Sequence, residues 1–388
     1  MTTTINNEHN KHNAPNLRFP EFQGEWEKCK LSEICTFFSG GTPSSSNKDF
    51  YGGNIAFIRS GELHADSTEL FITQAGFDSS SAKMVEVGDL LLAMYGATSG
   101  DIAVSKIKGA INQAILCIRT KQNKKFIESV WNKHVSKNLR KYLQGGQGNL
   151  SADIVKGISF FFPTLKEQEK IANLVSLLDE RIATQNKIIN KLQSLIKGIV
   201  DCTILRKEKN AIVGDVCSIS EQIRAEANID DIITVRLHGN GVCKSSAENL
   251  QLGATQYYRR RAGQLIYGKQ NFHNGAIGIV PISLDNGITS KDIPSFDIDE
   301  MKCNSVYLLA QLQSPQYYKP AEALTTGTGS KRLKEETFLK MPIVLPNKRE
   351  QDNIAVLIHR ASMNLDHAKR LLELLSIQKQ FLLRQMFI

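Results

Sequence analysis

The spacing of apolar positions changes character along the chain. Short apolar runs bounded by glycine come first: Asn54–Ser60 (NIAFIRS), Asp89–Met94 (DLLLAM), Gly100–Ser105 (GDIAVS) and Gly109–Thr120 (GAINQAILCIRT). Runs of this kind predict buried strands. From Lys125 to Gln144 the period lengthens. Phe126, Ile127, Val130, Trp131, Val135, Leu139 and Tyr142 fall on one helical stripe, with Lys133, Lys137, Arg140 and Lys141 on a solvated face. A glycine-rich loop (GGQGNLSADI, Gly145–Ile154) and a last strand (GISFFFP, Gly157–Pro163) close the segment. The second half follows the same plan and ends in FLKMPIVLP (Phe338–Pro346). Each half therefore predicts a mixed α/β globule.

After each closing proline the pattern changes again. From Lys166 to about Ile204 there is no proline and only one glycine, Gly198. Ile171, Leu174, Leu178, Ile182, Ile189, Leu192, Ile196 and Ile199 alternate steps of three and four, with Gln185 in a polar slot. That is close to a heptad seam. A second seam runs through Ile354, Leu357, Ala361, Leu365, Ala368, Leu372, Leu375 and Leu382. A helix of this length spans roughly 55–60 Å, and two such seams favour pairing with each other.

The two halves also repeat in sequence. PTLKEQEKIANLV (Pro163–Val175) returns as PNKREQDNIAVLI (Pro346–Ile358), 183 residues later. The same offset places Gly146 on Gly329, Leu150 on Leu333, Leu192 on Leu375 and Ile199 on Leu382. Upstream, KLSEIC (Lys30–Cys35) matches IVGDVC (Ile212–Cys217), and Val87–Val104 matches Ala262–Ile279 with Gly88/Gly263, Leu90/Leu265 and Gly100/Gly275 in step. The chain is a duplicated unit of roughly 180 residues. Such a pseudo-dimer, with its two helices antiparallel, suits the two-fold axes of B-form DNA, so that two different globules read two different segments of a duplex.

The 388 residues carry a formal charge of +9, an excess that favours a polyanionic partner. Seven scattered cysteines without C-x-x-C spacing read as reduced thiols in a cytoplasmic protein. The N-terminal MTTTINNEHNKHNAPN has no apolar core and no run of 18 apolar residues exists, so neither a signal peptide nor a membrane span is expected. No P-loop, dinucleotide fingerprint or N/D-P-P-Y/F loop is present. The E-x-K of Asp299–Lys302 (DEMK) is a common triplet and carries little weight. No catalytic constellation and no metal site are expected.

The apolar strand, proline and EQ-x-x-IA opening a long helix, twice in one chain, resemble the specificity subunit of type I restriction–modification systems. PNLRFPEFQGEWEKCKLSEI (Pro15–Ile34) resembles the lead-in of such subunits, and GDLLLAMYGATSGDIAV (Gly88–Val104) a strand–turn segment of their target recognition domains. The second copy departs from the first at GKQNFHNGA (Gly268–Ala276). The resemblance implies a non-catalytic subunit. Two target recognition domains would each read half of a bipartite, asymmetric site in double-stranded DNA, and two antiparallel coiled-coil helices would act as the spacer. The helices would dock two modification subunits that carry S-adenosylmethionine and methylate adenine. Restriction subunits would add ATP- and Mg-dependent translocation and cleavage; the chain itself would hold no cofactor. The expected layout is a disordered tail at 1–16, recognition domains at 17–162 and 207–345, and long helices at 163–206 and 346–388. A stand-alone DNA methyltransferase or nuclease, and a coiled-coil scaffold without nucleic acid, are the competing classes.

DNA contacts are expected from polar and basic loop residues, because Arg suits guanine edges, Asn and Gln suit adenine, and Lys suits phosphates. The candidates in the first domain are Ser39, Thr42, Ser44, Lys48, Arg59, Tyr95, Thr98, Ser99, Gln147 and Asn149. Those in the second are Arg236, Tyr258, Arg259, Arg260, Lys269, Gln270, Asn271, His273, Lys331 and Arg332. Glu167, Gln168, Glu350 and Gln351 open the long helices, where they either cap the helix or dock the partner.

Overall fold

A computed structural model of the chain describes residues 13–142, 149–245, 255–327 and 331–388, without the side chains of residues 135–142. It divides into two compact units, one of residues 1–184 with 372–388 and one of residues 185–371.

In the first unit, β1 (Glu27–Lys30) pairs antiparallel with β10 (Ser159–Phe162). A four-stranded antiparallel sheet has the order β2-β9-β6-β7, formed by Cys35–Ser39, Ile115–Thr120, Leu90–Ala93 and Ile102–Val104. A second sheet has the order β4-β3-β8-β5, formed by Phe71–Ile72, Tyr51–Ile58, Gly109–Ile111 and Lys83–Val85. Strands β3 and β8 run parallel. Gly109–Thr120 is thus two strands rather than the expected one, because the polar pair Asn112–Gln113 breaks the apolar run into a turn. The helix Lys124–Tyr142 buries Phe126, Ile127, Val130 and Trp131.

The second unit repeats this frame. β11 (Ala211–Ile212) pairs with β21 (Pro342–Ile343). The sheet β12-β20-β17-β18 consists of Cys217–Ile219, Ser295–Ile298, Leu265–Tyr267 and Ile277–Ile279. It has the strand order of β2-β9-β6-β7. The remaining strands, β13 (Arg224–Ala225), β16 (Tyr257–Arg260) and β19 (Gly287–Ser290), form a three-stranded sheet, and β14 (Ile233–Val235) pairs with β15 (Val242–Lys244).

The first long helix is Leu165–Val200, continued by a π-helical turn, Asp201–Leu205; the second is Lys348–Met386. Each unit holds a stretch of both, running antiparallel. In the first unit Asp179 pairs with Lys379 at 2.5 Å and with Lys125 at 2.8 Å, while Ile171 shares a core with Met386 and Phe387. In the second, the Gln185 side chain donates to Ala368 O at 3.0 Å, and Val200 shares a core with Ile354 and Ile358. Gln185 therefore fills its polar slot by bonding the partner backbone. Leu357 was expected in the seam and is 51% exposed; Ile358, one position on, is buried instead.

The helix ends plug the globules. Phe387 packs on Trp26 and Phe126 in the first unit, and Ile204 is fully buried in the second. The two residues are 183 positions apart, the offset of the repeat. Within the tail expected over 1–16, Asn13 O accepts from Trp26 N, and the Asn16 amide donates to Gln385, which ties both residues down. Residues 1–12 lie outside the described residues.

The helix openings show what the repeated Glu-Gln does. Gln168 is 1% exposed; it accepts from Asn123 N at 3.1 Å and donates to Pro163 O and Gln122 Oε1. Gln351, fully buried, accepts from Asn304 N at 2.9 Å and donates to Pro346 O and Lys302 O. Each glutamine clips a long helix to the start of a globule helix. Glu167, also buried, takes both arms of Arg18 at 2.7 Å and the Trp26 indole N–H, which fixes the lead-in segment. Glu167, Gln168 and Gln351 are therefore internal, and a partner-docking role is excluded by burial. Glu350 is half-buried and paired with Lys207.

Candidate nucleic-acid interface

In the first unit several loops meet at one end of the sheets. Met94, just past β6, donates to Ala114 O at 2.8 Å, and its carbonyl accepts from Leu150 N at 2.9 Å. Because β3 and β8 are parallel and Ile58 faces Ile111, Arg59 and Asn112 emerge on the same side. Gly40 and Gly41 pass so close that a Cβ would lie 1.7 Å from Ile111 O and 2.0 Å from Ser81 Oγ. Only glycine fits there. This close passage brings the Thr42 hydroxyl to Gln113 Oε1, to which it donates at 2.5 Å.

Ser39, Thr42, Arg59, Tyr95, Thr98, Ser99 and Asn149 thus gather around one junction. Tyr95 is 44% exposed, whereas the Ser99 hydroxyl turns inward to Met94 O at 3.1 Å. Arg59 is exposed, but its guanidinium is held by Glu62 at 2.9 Å and reaches Glu69. That hydrogen bond keeps the Glu62 carboxyl at about 2. Ser44 bonds Ser46, and Lys48 stands before the start of β3, away from the junction. Gln147 lies outside the described residues.

The second unit builds the same junction from different side chains. Lys269, just past β17, donates to Asp292 O at 2.9 Å, and its carbonyl accepts from Leu333 N at 2.9 Å. Met94, Ala114 and Leu150 are matched by Lys269, Asp292 and Leu333. Around this frame stand Gln270, Asn271, His273, Lys331 and Arg332. Arg332 pairs with Asp292 at 3.3 Å, Lys331 with Glu322 at 3.0 Å and Lys269 with Glu335 at 2.7 Å. The Lys269 ammonium is largely covered, at 17% exposure, so it braces the loop rather than meeting a ligand. His273 is half-buried, and its Nδ1 is buried without a hydrogen-bond partner among the described residues. The loop after β14 folds onto the 271–275 turn through Gly239 N to Gly275 O at 2.9 Å. Arg236 opens this loop and is exposed, with its Nε on Cys243 Sγ.

Tyr258 and Arg259 lie on β16, half-buried and exposed respectively. Arg260 corrects the sequence reading. It is fully buried and donates to Thr289 Oγ1 at 2.7 Å, Ser295 Oγ at 3.0 Å and Ile293 O at 3.0 Å. Burial without a facing carboxylate pulls its pKa down to about 10. It braces the turn that carries Asp292 and cannot reach DNA. Two junction residues escaped the sequence reading, Gln113 and Lys291. Both are exposed and directly precede the residues whose carbonyls close the two junctions. The Asn-Gln pair inside an apolar run was the available signal for the first.

Residues 23–194 match the family described as the type I restriction modification DNA specificity domain. The MjaVIII specificity subunit of Methanocaldococcus jannaschii is 20% identical over 374 residues, 87% of this chain and 86% of that subunit. The matched segment is a type I restriction modification DNA specificity domain. Among other similar proteins, the EcoR124I/EcoR124II specificity subunit of Escherichia coli is 27% identical over 174 residues, and the MjaIX subunit of M. jannaschii 26% over 182. These two matches span less than half of either relative, 43% and 42%. In fold, the crystal structure of the S subunit from M. genitalium superposes with a TM-score of 0.66 at 13% identity, covering 97% of this chain and 99% of that one. Among the described residues of this chain, no cluster of three or more His, Cys, Asp or Glu could hold a metal ion, and no helix is long and apolar enough to cross a membrane.

Proposed function

We propose that this chain is the DNA-reading subunit of a type I restriction–modification complex, each junction reading one half of a bipartite, asymmetric site. The observation that carries this reading is the repeated junction: one backbone hydrogen-bond frame, built twice, presents different side chains each time. A shared frame with unlike chemistry is what two unlike half-sites require. The long helices set the gap and dock two modification subunits. Leu177, Leu195, Leu374, Ile377 and Phe381 support the docking role, since all five are more than half exposed on these helices and an apolar helix face gains from a partner. S-adenosylmethionine, ATP and Mg belong to the partner subunits, and this chain contributes no catalytic group.

The test is methylation mapping with the complex reconstituted from modification subunits. Exchanging residues 207–345 for the matching region of another specificity subunit should change one half-site and leave the other intact. Binding by the complex should also weaken with salt at a log–log slope of roughly −0.9 per phosphate neutralised. Methyl transfer by the purified chain alone, or a salt-insensitive complex, would overturn the reading.

A further inference from the structure

The geometry points to Gln113 as a base-reading residue of the first unit, selecting adenine, with Thr42 as its positioning residue; this inference rests on the DNA-reading role above. Gln113 is exposed at the tip of the turn between β8 and β9. Its neighbours are fixed on both sides. Ala114 O accepts from Met94 N, Ala114 N donates to Asn112 Oδ1 at 3.1 Å, and Ile111 lies under Gly40. The side chain is fixed too, because the Thr42 hydroxyl donates to Oε1 at 2.5 Å. In this arrangement Oε1 takes the hydroxyl proton and keeps one lone pair. Nε2 has no partner among the described residues. The free lone pair and free N–H form the acceptor–donor pair that complements N6–H and N7 of adenine in the major groove.

A solvent-facing side chain gains nothing for folding from such rigid support. A base reader does, because rotamer entropy is lost before binding rather than during it. The two glycines make the arrangement specific. Any side chain at Gly40 or Gly41 would collide with Ile111 O or Ser81 and lift Thr42 from Gln113.

The experiment maps methylation by the reconstituted complex on DNA randomised through the half-site of the first unit. Gln113→Ala should lose preference at one A·T pair by about 5- to 150-fold, with the half-site of the second unit unchanged as the internal control for folding. Gln113→Glu retains the Thr42 contact and should move preference at that pair towards cytosine, whose N4 amine a carboxylate accepts. Thr42→Val should weaken discrimination at the same pair by about 2- to 12-fold, and Thr42→Ser should restore it. Unaltered preference in both Gln113 variants overturns the assignment. Wild-type discrimination in Thr42→Val overturns the positioning role. A wild-type complex with no half-site dependent on the first unit would instead defeat the DNA-reading role itself.

Discussion

Replacing Gln168 by leucine tests whether the repeated glutamine is a structural clip. The substitution roughly keeps the volume and removes all three hydrogen bonds of a side chain that is 1% exposed. Asn123 N–H is left buried without its acceptor, at about 1–3 kcal/mol, and the lost donors to Pro163 O and Gln122 add about 1 kcal/mol more. A total of about 2–4 kcal/mol, with a urea dependence of about 2.5 kcal/mol/M for a unit of this size, moves the midpoint down by about 1–1.5 M. The assay is specific to one unit, because the two tryptophans, Trp26 and Trp131, both lie in the first. Tryptophan fluorescence during urea unfolding should show the shift. Gln351→Leu should lower the transition of the second unit, followed by far-ultraviolet circular dichroism. A tryptophan midpoint within 0.3 M of wild type (about 0.8 kcal/mol at this slope) in Gln168→Leu would refute the clip.

Phe387→Ala should destabilise the first unit by about 3–5 kcal/mol, because the ring packs on Trp26 and Phe126; a red shift and lower midpoint of tryptophan emission would report it. Acid should weaken the same unit. The Arg59 hydrogen bond holds the Glu62 carboxyl at about 2, so the unfolded chain takes up the proton first, and this stabilisation is present above about pH 4.5 and lost as pH falls towards 2. Urea midpoints between pH 5 and 3 should fall, and less steeply in Glu62→Gln. Among the seven cysteines, Cys202 is exposed, whereas burial pushes Cys117, Cys217 and Cys303 up to about 12. A disulfide reagent should therefore label Cys202 in the fast phase of the native chain, a phase that Cys202→Ser removes, and reach the three buried thiols only on denaturation.

Much of the architecture was legible because it is periodic or repeated. The long helices show in their spacing, and the repeat of Pro163–Val175 at Pro346–Ile358 announces two similar units. What escaped depends on neighbours distant in sequence. Heptad counting could not choose between Leu357 and the adjacent Ile358, because the core that buries Ile358 joins Val200 of the other helix with globule residues such as Leu308. The run Tyr257–Arg261 reads as a basic patch, yet Arg260 is fully buried, supported by Thr289, Ile293 and Ser295 from farther along the chain. Glu167 and the lead-in residues Arg18 and Trp26 were recognisable as motifs. Their union in one buried cluster was not, since it joins segments about 150 residues apart.

The charges at the junctions argue against reading the net +9 as a plain measure of DNA attraction. In the second unit Lys269, Lys331 and Arg332 each face a carboxylate, from Glu335, Glu322 and Asp292. The exposed pairs at Lys331 and Arg332 add little stability, and all three reduce the field that a phosphate would feel. They do fix the loops that surround Lys291, which has no ion pair among the described residues. The first unit achieves the same end without charge, by glycine contact and a threonine hydroxyl beneath Gln113. Both units hold their loops in place and leave one long polar side chain exposed at the corresponding tip, an amide in one and an ammonium in the other. The chemistry of that side chain can then differ while the frame stays constant, which is how one duplicated fold comes to present two unlike surfaces.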